Sequence, residues 1–211
     1  MIKVFLCDDH ALIRRGIRDT LSDAPDIEVV GEAGDYGELR TLMREHTCDV
    51  LVLDINMPGR SGLDVLHALK DEGSPVRVLV VSMYPEDQYA IRALRAGAYG
   101  YVNKGGDPAL IVAAVRTVAQ GRKYVTPEIA QMLVESLTTP ESASAHDKLS
   151  DREMQTLVMI ASGKRLSDIA EELTLSPKTV SVYRARVLEK LQLANNSELT
   201  VYAIRNGLVG S

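Results

Sequence analysis

Short apolar segments alternate with longer helix-like segments over the first 121 residues of the chain. The short segments are rich in Val, Ile and Leu without a clean alternation of apolar and polar positions, which is typical of parallel strands buried on both faces. The pattern predicts five strands, at Ile2–Cys7, Ile27–Ala33, Val50–Leu53, Val76–Ser82 and Ala98–Val102. It predicts helices between and after them, at roughly Ala11–Ala24, Tyr36–Glu45, Ser61–Glu72, Pro85–Ala96 and Pro108–Gln120.

Five repeats of a strand followed by a helix are typical of a doubly wound α/β domain. The sequence therefore predicts a five-stranded parallel sheet with helices on both faces over residues 1–121.

The pattern changes after Gly121. Pro127–Leu137 has a helical pattern and the residues after it have none, so residues 122–147 are predicted to be a linker with a helical first half. No strand pattern returns afterwards, and residues 148–211 are predicted to form an all-α bundle. Its helices are predicted from the capping box Ser150–Glu153 to about Ser162, at Ser167–Leu173, from Pro177 to about Leu191, and from near Ser197 to Gly207.

Composition excludes several classes of protein. A chain of 211 residues with 45% hydrophobic residues is expected to form one or two globular domains. Cys7 and Cys48 are too few and too poorly placed for a disulfide framework or a zinc site. No apolar stretch approaches the roughly 20 residues of a membrane-spanning helix, and the N-terminus reaches Asp8 too early for a signal peptide. We therefore expect a cytoplasmic protein with reduced thiols and no membrane partner.

Charge is distributed unevenly along the chain. Residues 1–121 carry 13 basic and 18 acidic side chains, whereas residues 148–211 carry nine basic and seven acidic ones. This asymmetry favours different partners for the two ends, although an excess of two positive charges over 64 residues could also arise by chance.

Polar residues follow four of the five predicted strands. Asp8 and Asp9 follow the first, Asp54 ends the third, Ser82 ends the fourth and Lys104 lies just past the fifth. Ligands of doubly wound sheets bind outside the carboxyl ends of the strands, so these side chains are expected to meet there. A single aspartate at a strand end is usually only a helix cap, but five residues from four strand ends favour a functional site.

Phosphoryl transfer accounts for this set of residues. Three carboxylates repel one another, and Mg²⁺ is a hard cation that takes oxygen ligands and bridges to phosphate. A carboxylate can act as the nucleophile, and a lysine and a hydroxyl can then bind the phosphoryl oxygens.

The first 121 residues resemble the flavodoxin-like receiver domain of two-component response regulators. The resemblance rests on Cys7-Asp8-Asp9-His10, Leu53-Asp54-Ile55-Asn56-Met57-Pro58-Gly59, Ser82 and Tyr99–Lys104, in the expected order. It implies that Asp54 is the phosphoacceptor and that Ser82 and Lys104 contact the acyl phosphate. It implies Mg²⁺ ligands from Asp9, Asp54 and the backbone carbonyl of Asn56, with Asp8 acting mostly through a bound water. Tyr101 matches the switch aromatic of the family, although the sequence fits a half-buried strand tyrosine equally well.

The C-terminal segment has the pattern of a helix-turn-helix. Two short helices are joined by the turn Thr174-Leu175-Ser176, and the second begins with Ser176-Pro177. Basic and hydroxyl side chains on that helix could contact DNA phosphates, although an ordinary solvated helix face is the alternative. Residues 149–153, 168–170, 175–180 and 189–191 resemble the LuxR-type helix-turn-helix, which together with a receiver defines the NarL/FixJ class.

The resemblance also implies a DNA interface. Ser181, Val182 and Ala185 would lie where the family reads base edges, whereas Lys178, Thr179, Tyr183, Arg186 and Lys190 would contact the backbone. Tyr183 and Asn196 depart from the His and Arg often found at these places, so base readout could rest on Arg184 or on DNA shape.

The resemblance implies a sensor histidine kinase, double-stranded DNA and a second copy of the chain as partners, with RNA polymerase as a further candidate. The apolar residues of the last helix fit a dimer contact or packing inside the bundle equally well.

Three other functions compete with a phosphorylation-switched transcription regulator. A carboxylate-nucleophile phosphatase would need an acidic residue at position 56, where this chain has Asn56, so we expect only slow self-dephosphorylation and no enzyme. An interaction protein that never binds DNA and a receiver that works without phosphorylation are the other two.

Overall fold

The computed structural model describes residues 1–57, 59–84, 86–138 and 145–209, and the side chains of these ranges other than 87, 88 and 135–138. The chain divides into two compact units, residues 1–138 and 139–211. The first unit contains β1 (Ile2–Cys7), α1 (Ala11–Ser22), β2 (Ile27–Ala33), α2 (Tyr36–Glu45), β3 (Val50–Asp54), α3 (Gly62–Asp71), β4 (Arg77–Ser82), α4 (Glu86–Ala96), β5 (Gly100–Asn103), α5 (Pro108–Ala119) and α6 (Pro127–Thr138). The second contains a 3-10 helix (Ala145–Lys148), α7 (Asp151–Ala161), α8 (Leu166–Glu172), α9 (Pro177–Leu191) and α10 (Asn196–Arg205).

The sheet of the first unit is fully parallel, in the order β2-β1-β3-β4-β5. Every residue of the central strand β3 is buried, which explains why the sequence shows an apolar run there and no alternation. The predicted doubly wound α/β fold is confirmed. Because the strands are parallel, their carboxyl ends lie along one edge of the sheet.

The fifth strand begins later than the sequence predicts, at Gly100 and not at Ala98. The backbone N–H of Ala98 donates to the carbonyl of Ala93, 2.9 Å away, and so closes the end of α4. Ala98 therefore belongs to the turn that ends α4 and not to β5. An apolar pattern alone does not distinguish the two.

Helix α6 packs against α4 in the first unit. Ile129 is fully buried, and the Thr126 hydroxyl donates to a carboxylate oxygen of Glu86 at 2.8 Å. Gly100 also forms an isolated parallel bridge with Tyr124. The compact unit thus extends past Gly121 to residue 138 and includes the helical first half of the segment that the sequence predicts to be a linker.

The second unit is all-helical over its described residues, which confirms the predicted bundle. Ser150 and Glu153 form the predicted capping box at the start of α7. Fully buried residues from three helices, Leu157, Val187 and Leu199, contribute to its core. Thr174 adopts a positive φ of 53° in the turn before α9, a conformation rare for a β-branched residue. No helix in the described part of the chain is long and apolar enough to cross a membrane.

Candidate functional site

The carboxyl edge of the sheet brings together the polar residues that the sequence singles out. Asp8 follows β1, and Asp54 and Ser82 end β3 and β4. The Lys104 backbone N–H donates to the carbonyl of Ser82 at 2.8 Å and so continues the pairing of β4 with β5. All four residues lie next to paired strand ends, and the sheet itself therefore sets their spacing.

Lys104 lies between two carboxylates. Its Nζ is 2.6 Å from Asp8 Oδ2 and 2.8 Å from Asp54 Oδ2. The side chains of Lys104, Asp8 and Asp54 are 3%, 4% and 2% exposed, respectively. Removing three charges from water is costly, and short ion pairs offset part of that cost. The arrangement holds the Asp54 carboxylate beside a fixed positive charge.

Burial also alters the acidity of the site. It raises the pKa of Asp54 to about 6, against the opposing charge of Lys104 and with a further contribution from Asp8. The backbone N–H of Asn56 donates to Asp54 Oδ1 at 3.2 Å. Burial and the neighbouring aspartates raise the pKa of the Cys7 thiol to about 12, so this thiol stays protonated beneath the site.

The acidic residues fit a hard divalent cation. Asp8, Asp9, His10 and Asp54 each offer a ligand atom, and these atoms lie within 4.8 Å of one another. Three carboxylates next to one lysine leave two negative charges uncompensated, which a divalent ion would neutralise. Mg²⁺ prefers oxygen ligands, and the oxygen donors of Asp8, Asp9 and Asp54 suit that ion.

Ser82 is connected to Tyr101 through the backbone of Tyr84. The N–H of Tyr84 donates to Ser82 Oγ at 3.2 Å, and the Tyr101 hydroxyl donates to the carbonyl of Tyr84 at 2.7 Å. The side-chain amide of Asn103 donates to the same carbonyl at 3.3 Å. Tyr101 is fully buried, and burial raises the pKa of its hydroxyl. Ser82 and Tyr101 therefore both form a hydrogen bond with the backbone of Tyr84.

Two further residues support the site and were not singled out by the sequence. Arg14 on α1 donates from Nη1 to the carbonyl of Asp8, and its Nε lies 3.2 Å from a carboxylate oxygen of Glu32. Gly62, the first residue of α3, lies against β3: a Cβ there would be 2.1 Å from the Asp54 carbonyl oxygen and 2.8 Å from Ile55 Cα. An isolated glycine or arginine carries no such signal in one sequence.

Helix α9 presents one exposed stripe. Ser176 caps it by accepting the backbone N–H of Thr179 at 3.1 Å. Val180, Val187 and Leu191 face inward. The helix residues of the opposite face, which we call the α9 stripe, recur three and four positions apart. They are Lys178, Ser181, Val182, Ala185 and Arg186, all exposed, and the exposed Glu189 follows them one turn later.

Two predicted DNA-contacting cations are engaged inside the second unit. Arg184 is half-buried and donates from Nε to Asn196 Oδ1 at 2.5 Å. Lys190 Nζ lies 2.6 Å from a carboxylate oxygen of Glu153, whose side chain is 3% exposed. Thr179 and Tyr183 are half-buried beside the α9 stripe.

The fold and these two regions define a phosphoacceptor-type α/β domain joined to a helix-turn-helix domain. Residues 4–116 match the family described as "Response regulator receiver domain", and residues 147–203 match "Bacterial regulatory proteins, luxR family". The chain belongs to the two-component response regulators of the NarL/FixJ class, in which a receiver precedes a LuxR-type DNA-binding domain.

Relatives match over nearly the whole chain. It is 39% identical over 209 residues to the response regulator UvrY of Escherichia coli strain K12, covering 99% of this chain and 96% of UvrY. It is 40% identical over 210 residues to the response regulator GacA of Pseudomonas aeruginosa, covering 99% and 98%. It is also similar to the structure of RcsB from Salmonella enterica serovar Typhimurium bound to the promoter rprA in the presence of the phosphomimetic BeF3-, with 25% identity, a TM-score of 0.65 and coverage of 95% and 97%.

Proposed function

We propose that a partner sensor histidine kinase phosphorylates Asp54, and that this modification controls dimerisation and sequence-specific DNA binding to regulate transcription in the cytoplasm. The observation that carries the proposal is Lys104, buried between Asp8 and Asp54 at 2.6 Å and 2.8 Å. A phosphoryl group on Asp54 would replace a single negative charge with a larger one beside a cation that is already in place.

The Asp54 carboxylate acts as the nucleophile. With a pKa of about 6 it is mostly ionised at neutral pH. One of its oxygens attacks the phosphorus of the kinase's phosphohistidine, so that a P–O bond forms, the P–N bond breaks and the electron pair returns to the imidazole. Bound Mg²⁺ would neutralise charge on the phosphoryl oxygens. Asp9, Asp54 and the Asn56 carbonyl would hold it, with Asp8 acting mostly through a bound water.

The new acyl phosphate then draws in Ser82 and Lys104. Lys104 already lies beside the acceptor carboxylate, and the Ser82 hydroxyl ends the neighbouring strand. When Ser82 donates to a phosphoryl oxygen, its contact with Tyr84 N–H changes, and Tyr101 is coupled to the same residue through the Tyr84 carbonyl. Ser82 and Tyr101 would therefore have one arrangement without the phosphoryl group and another with it, and phosphorylation would favour the second. Self-dephosphorylation is expected to be slow because position 56 is an amide, which cannot act as a general acid.

The α9 stripe is the proposed DNA-reading surface. Ser181, Val182 and Ala185 are exposed in its centre and would face base edges. Lys178 and Arg186 at its ends would contact phosphates, with Thr179 and Tyr183 adding hydrogen bonds. Arg184 and Lys190 already pair with Asn196 and Glu153, so a DNA phosphate would have to share these cations or displace their partners. Residues 1–121 and 148–211 remain the proposed domains, and RNA polymerase is a candidate partner of the DNA-bound form.

Mass and size measured together test the switch. The full chain is incubated with Mg²⁺ and a small phosphodonor, and intact mass and light-scattering molar mass are recorded, with Asp54→Asn as the matched control. We expect one added phosphoryl group and dimer formation, both lost in the variant. An unchanged mass in a folded, Mg²⁺-binding protein would refute phosphorylation control, and labelling of the variant would refute the site.

A salt titration of DNA binding tests the second half of the proposal. Binding through phosphate contacts must weaken steeply as salt rises because counterions are released. The phosphorylated chain is titrated with duplexes at several salt concentrations, using Asp54→Asn as the control. A chain that is phosphorylated but shows no duplex affinity at low salt would favour an interaction protein that does not bind DNA.

A further inference from the structure

His10 occupies a helix-capping position without acting as a cap. It is the N-cap residue of α1, where Ser, Thr, Asp and Asn are the common choices. Its side chain makes no capping hydrogen bond to the first turn of α1. Helix capping therefore does not explain why a histidine occupies this position. Its imidazole is 54% exposed and lies beside the acidic cluster.

The backbone holds the imidazole close to two carboxylates. The N–H of His10 donates to Asp8 Oδ1 at 2.9 Å, which folds the chain back toward the cluster. Nδ1 of the ring then lies 2.6 Å from Asp9 Oδ1 and 3.7 Å from Asp8 Oδ1. Neighbouring ligands of an octahedral ion with bonds of about 2.1 Å lie about 3 Å apart. The two separations bracket that value.

Asp9 and His10 approach each other without forming a hydrogen bond. Asp9 Oδ1 is a buried atom that accepts no hydrogen bond from the described residues, although Nδ1 of His10 is only 2.6 Å away. The N–H direction of the ring therefore misses this oxygen. The contact is an ion pair when the ring is protonated, and a divalent ion bound beside it would give both atoms a common partner.

The chemistry of imidazole indicates which ions this ligand would favour. Mg²⁺ prefers oxygen ligands and water, whereas imidazole suits ions such as Ni²⁺, Zn²⁺ and Fe²⁺. The carboxylates of Asp8, Asp9 and Asp54 supply the charge for any divalent ion. An imidazole nitrogen would favour transition ions over Mg²⁺ without adding negative charge to the site.

We propose that His10 is a direct ligand of the receiver's metal site when a first-row transition ion occupies it, and that His10 sets the preference of this site between such ions and Mg²⁺. The inference rests on the proposed function because it concerns the same acidic site. It predicts that the site binds Ni²⁺ through a nitrogen that Mg²⁺ leaves uncoordinated.

Calorimetry on the full chain with Mg²⁺ alone and Ni²⁺ alone tests the proposal at one fixed pH of about 7.5, because metal affinity depends on pH. His10→Ala is compared with His46→Ala, which removes an exposed histidine at the end of α2. Asp9→Asn removes a carboxylate of the cluster and checks that the Ni²⁺ observed is bound there. We expect His10→Ala to raise the Kd for Ni²⁺ at least tenfold and to change the Kd for Mg²⁺ less than twofold, with both values unchanged in His46→Ala.

Three outcomes would overturn the inference. An unchanged Ni²⁺ affinity in His10→Ala would show that His10 is not a ligand. Equal losses for both ions would make it a positioning residue for Asp9. Tight Ni²⁺ binding that survives Asp9→Asn would place that ion elsewhere on the surface. Labelling of the wild-type chain and of His10→Ala with a phosphodonor in Mg²⁺ is measured in parallel. If one of the three outcomes above is found while the wild-type chain is labelled, only the inference fails, whereas no labelling of the wild-type chain refutes the proposed function itself.

Discussion

The two functional regions use positive charge in opposite ways. Lys104 is 3% exposed and held between two carboxylates, so its charge is balanced within the protein. Lys178 and Arg186 on the α9 stripe are exposed, and neither forms an ion pair with a carboxylate of the described residues. Removing the buried cation is therefore expected to change the stability of the protein and the chemistry of the site. Removing an exposed cation is expected to change the salt dependence of DNA binding, because each phosphate contact releases counterions.

Removing the buried cation should have the largest effect. Lys104→Met keeps the side-chain volume but leaves Asp8 and Asp54 facing each other without compensation. We expect a loss of about 3–5 kcal/mol in the free energy of unfolding when Mg²⁺ is chelated, as for other broken buried pairs. Urea unfolding read by hydrogen exchange of amides in β3 and β4 measures this loss.

Mg²⁺ should restore part of that stability, because a divalent ion replaces the missing positive charge between the carboxylates. Lys178→Ala, an exposed lysine substitution, provides the control and should change the stability by less than about 0.5 kcal/mol. Equal losses of unfolding free energy in Lys104→Met and Lys178→Ala would show that the buried, paired lysine does not stabilise the protein more than the exposed one.

Removing an exposed cation of the α9 stripe should change DNA binding and leave stability unaltered. Lys178→Ala and Arg186→Ala should each lower the slope of log affinity against log salt by about 0.9, because each phosphate contact releases about one counterion. Affinity for all duplexes should fall alike. Fluorescence anisotropy with two unrelated duplexes at four salt concentrations measures both quantities.

Lys190→Ala sharpens this comparison, because Lys190 is paired with Glu153 and not free on the stripe. We expect a smaller change of the salt slope than for Lys178→Ala. A full loss of one counterion would mean that Lys190 leaves Glu153 on DNA, and a sequence-selective loss in Lys178→Ala would contradict its backbone role.

The Glu153–Lys190 pair should make the second unit sensitive to acid. Burial alone would raise the pKa of Glu153, but Lys190 and the backbone N–H of Ser150 outweigh it, so the pKa lies below its usual value. A lowered pKa in the folded state means that the stabilisation is present above the unfolded pKa and lost as the pH falls through the folded pKa. Because Lys190 is 39% exposed, the pair is expected to contribute about 0.5–1 kcal/mol.

Hydrogen exchange of amides in α7 and α9 across the acid range measures this loss. Glu153→Gln should flatten the pH dependence while keeping the shape of the side chain. An acid transition that is identical in Glu153→Gln would assign the sensitivity to another carboxylate.

A further effect, of the same size but of opposite sign, concerns the turn before α9. Thr174 has a φ of 53°, which costs a β-branched residue more than glycine. Thr174→Gly should therefore stabilise the second unit by about 0.5–1 kcal/mol, even though glycine also loses more entropy on folding. Thermal unfolding detects this gain, and Thr174→Val, which keeps the branched Cβ, should show none.

Both regions could be located from sequence for different reasons. Asp8, Asp54, Ser82 and Lys104 follow buried apolar strands, and the parallel sheet alone brings strand ends together. The start of α9 could be predicted because Ser176 and Pro177 are common at the first positions of a helix. In both regions a local pattern fixes the position of the functional residue.

What the sequence could not predict depends on contacts between distant segments. The pairings of Lys190 with Glu153 and of Arg184 with Asn196 join residues 37 and 12 positions apart, and they determine which cations already have a partner within the unit. Helix α6 belongs to the first unit through contacts with distant residues, such as the hydrogen bond of Thr126 with Glu86, 40 positions away. Helical periodicity predicts that such helices exist but does not determine their neighbours.

Gly62 has a consequence for how genetic data on this protein would be interpreted. Its missing Cβ allows α3 to lie against the carbonyl of Asp54, where a methyl group would come within 2.1 Å of that oxygen. In a screen for mutants that have lost their signalling response, substitutions here would be recovered alongside those of the acceptor itself. Yet glycine has no side chain that can bind a metal or a phosphoryl group. Such alleles would report the shape of the pocket and not a missing chemical step.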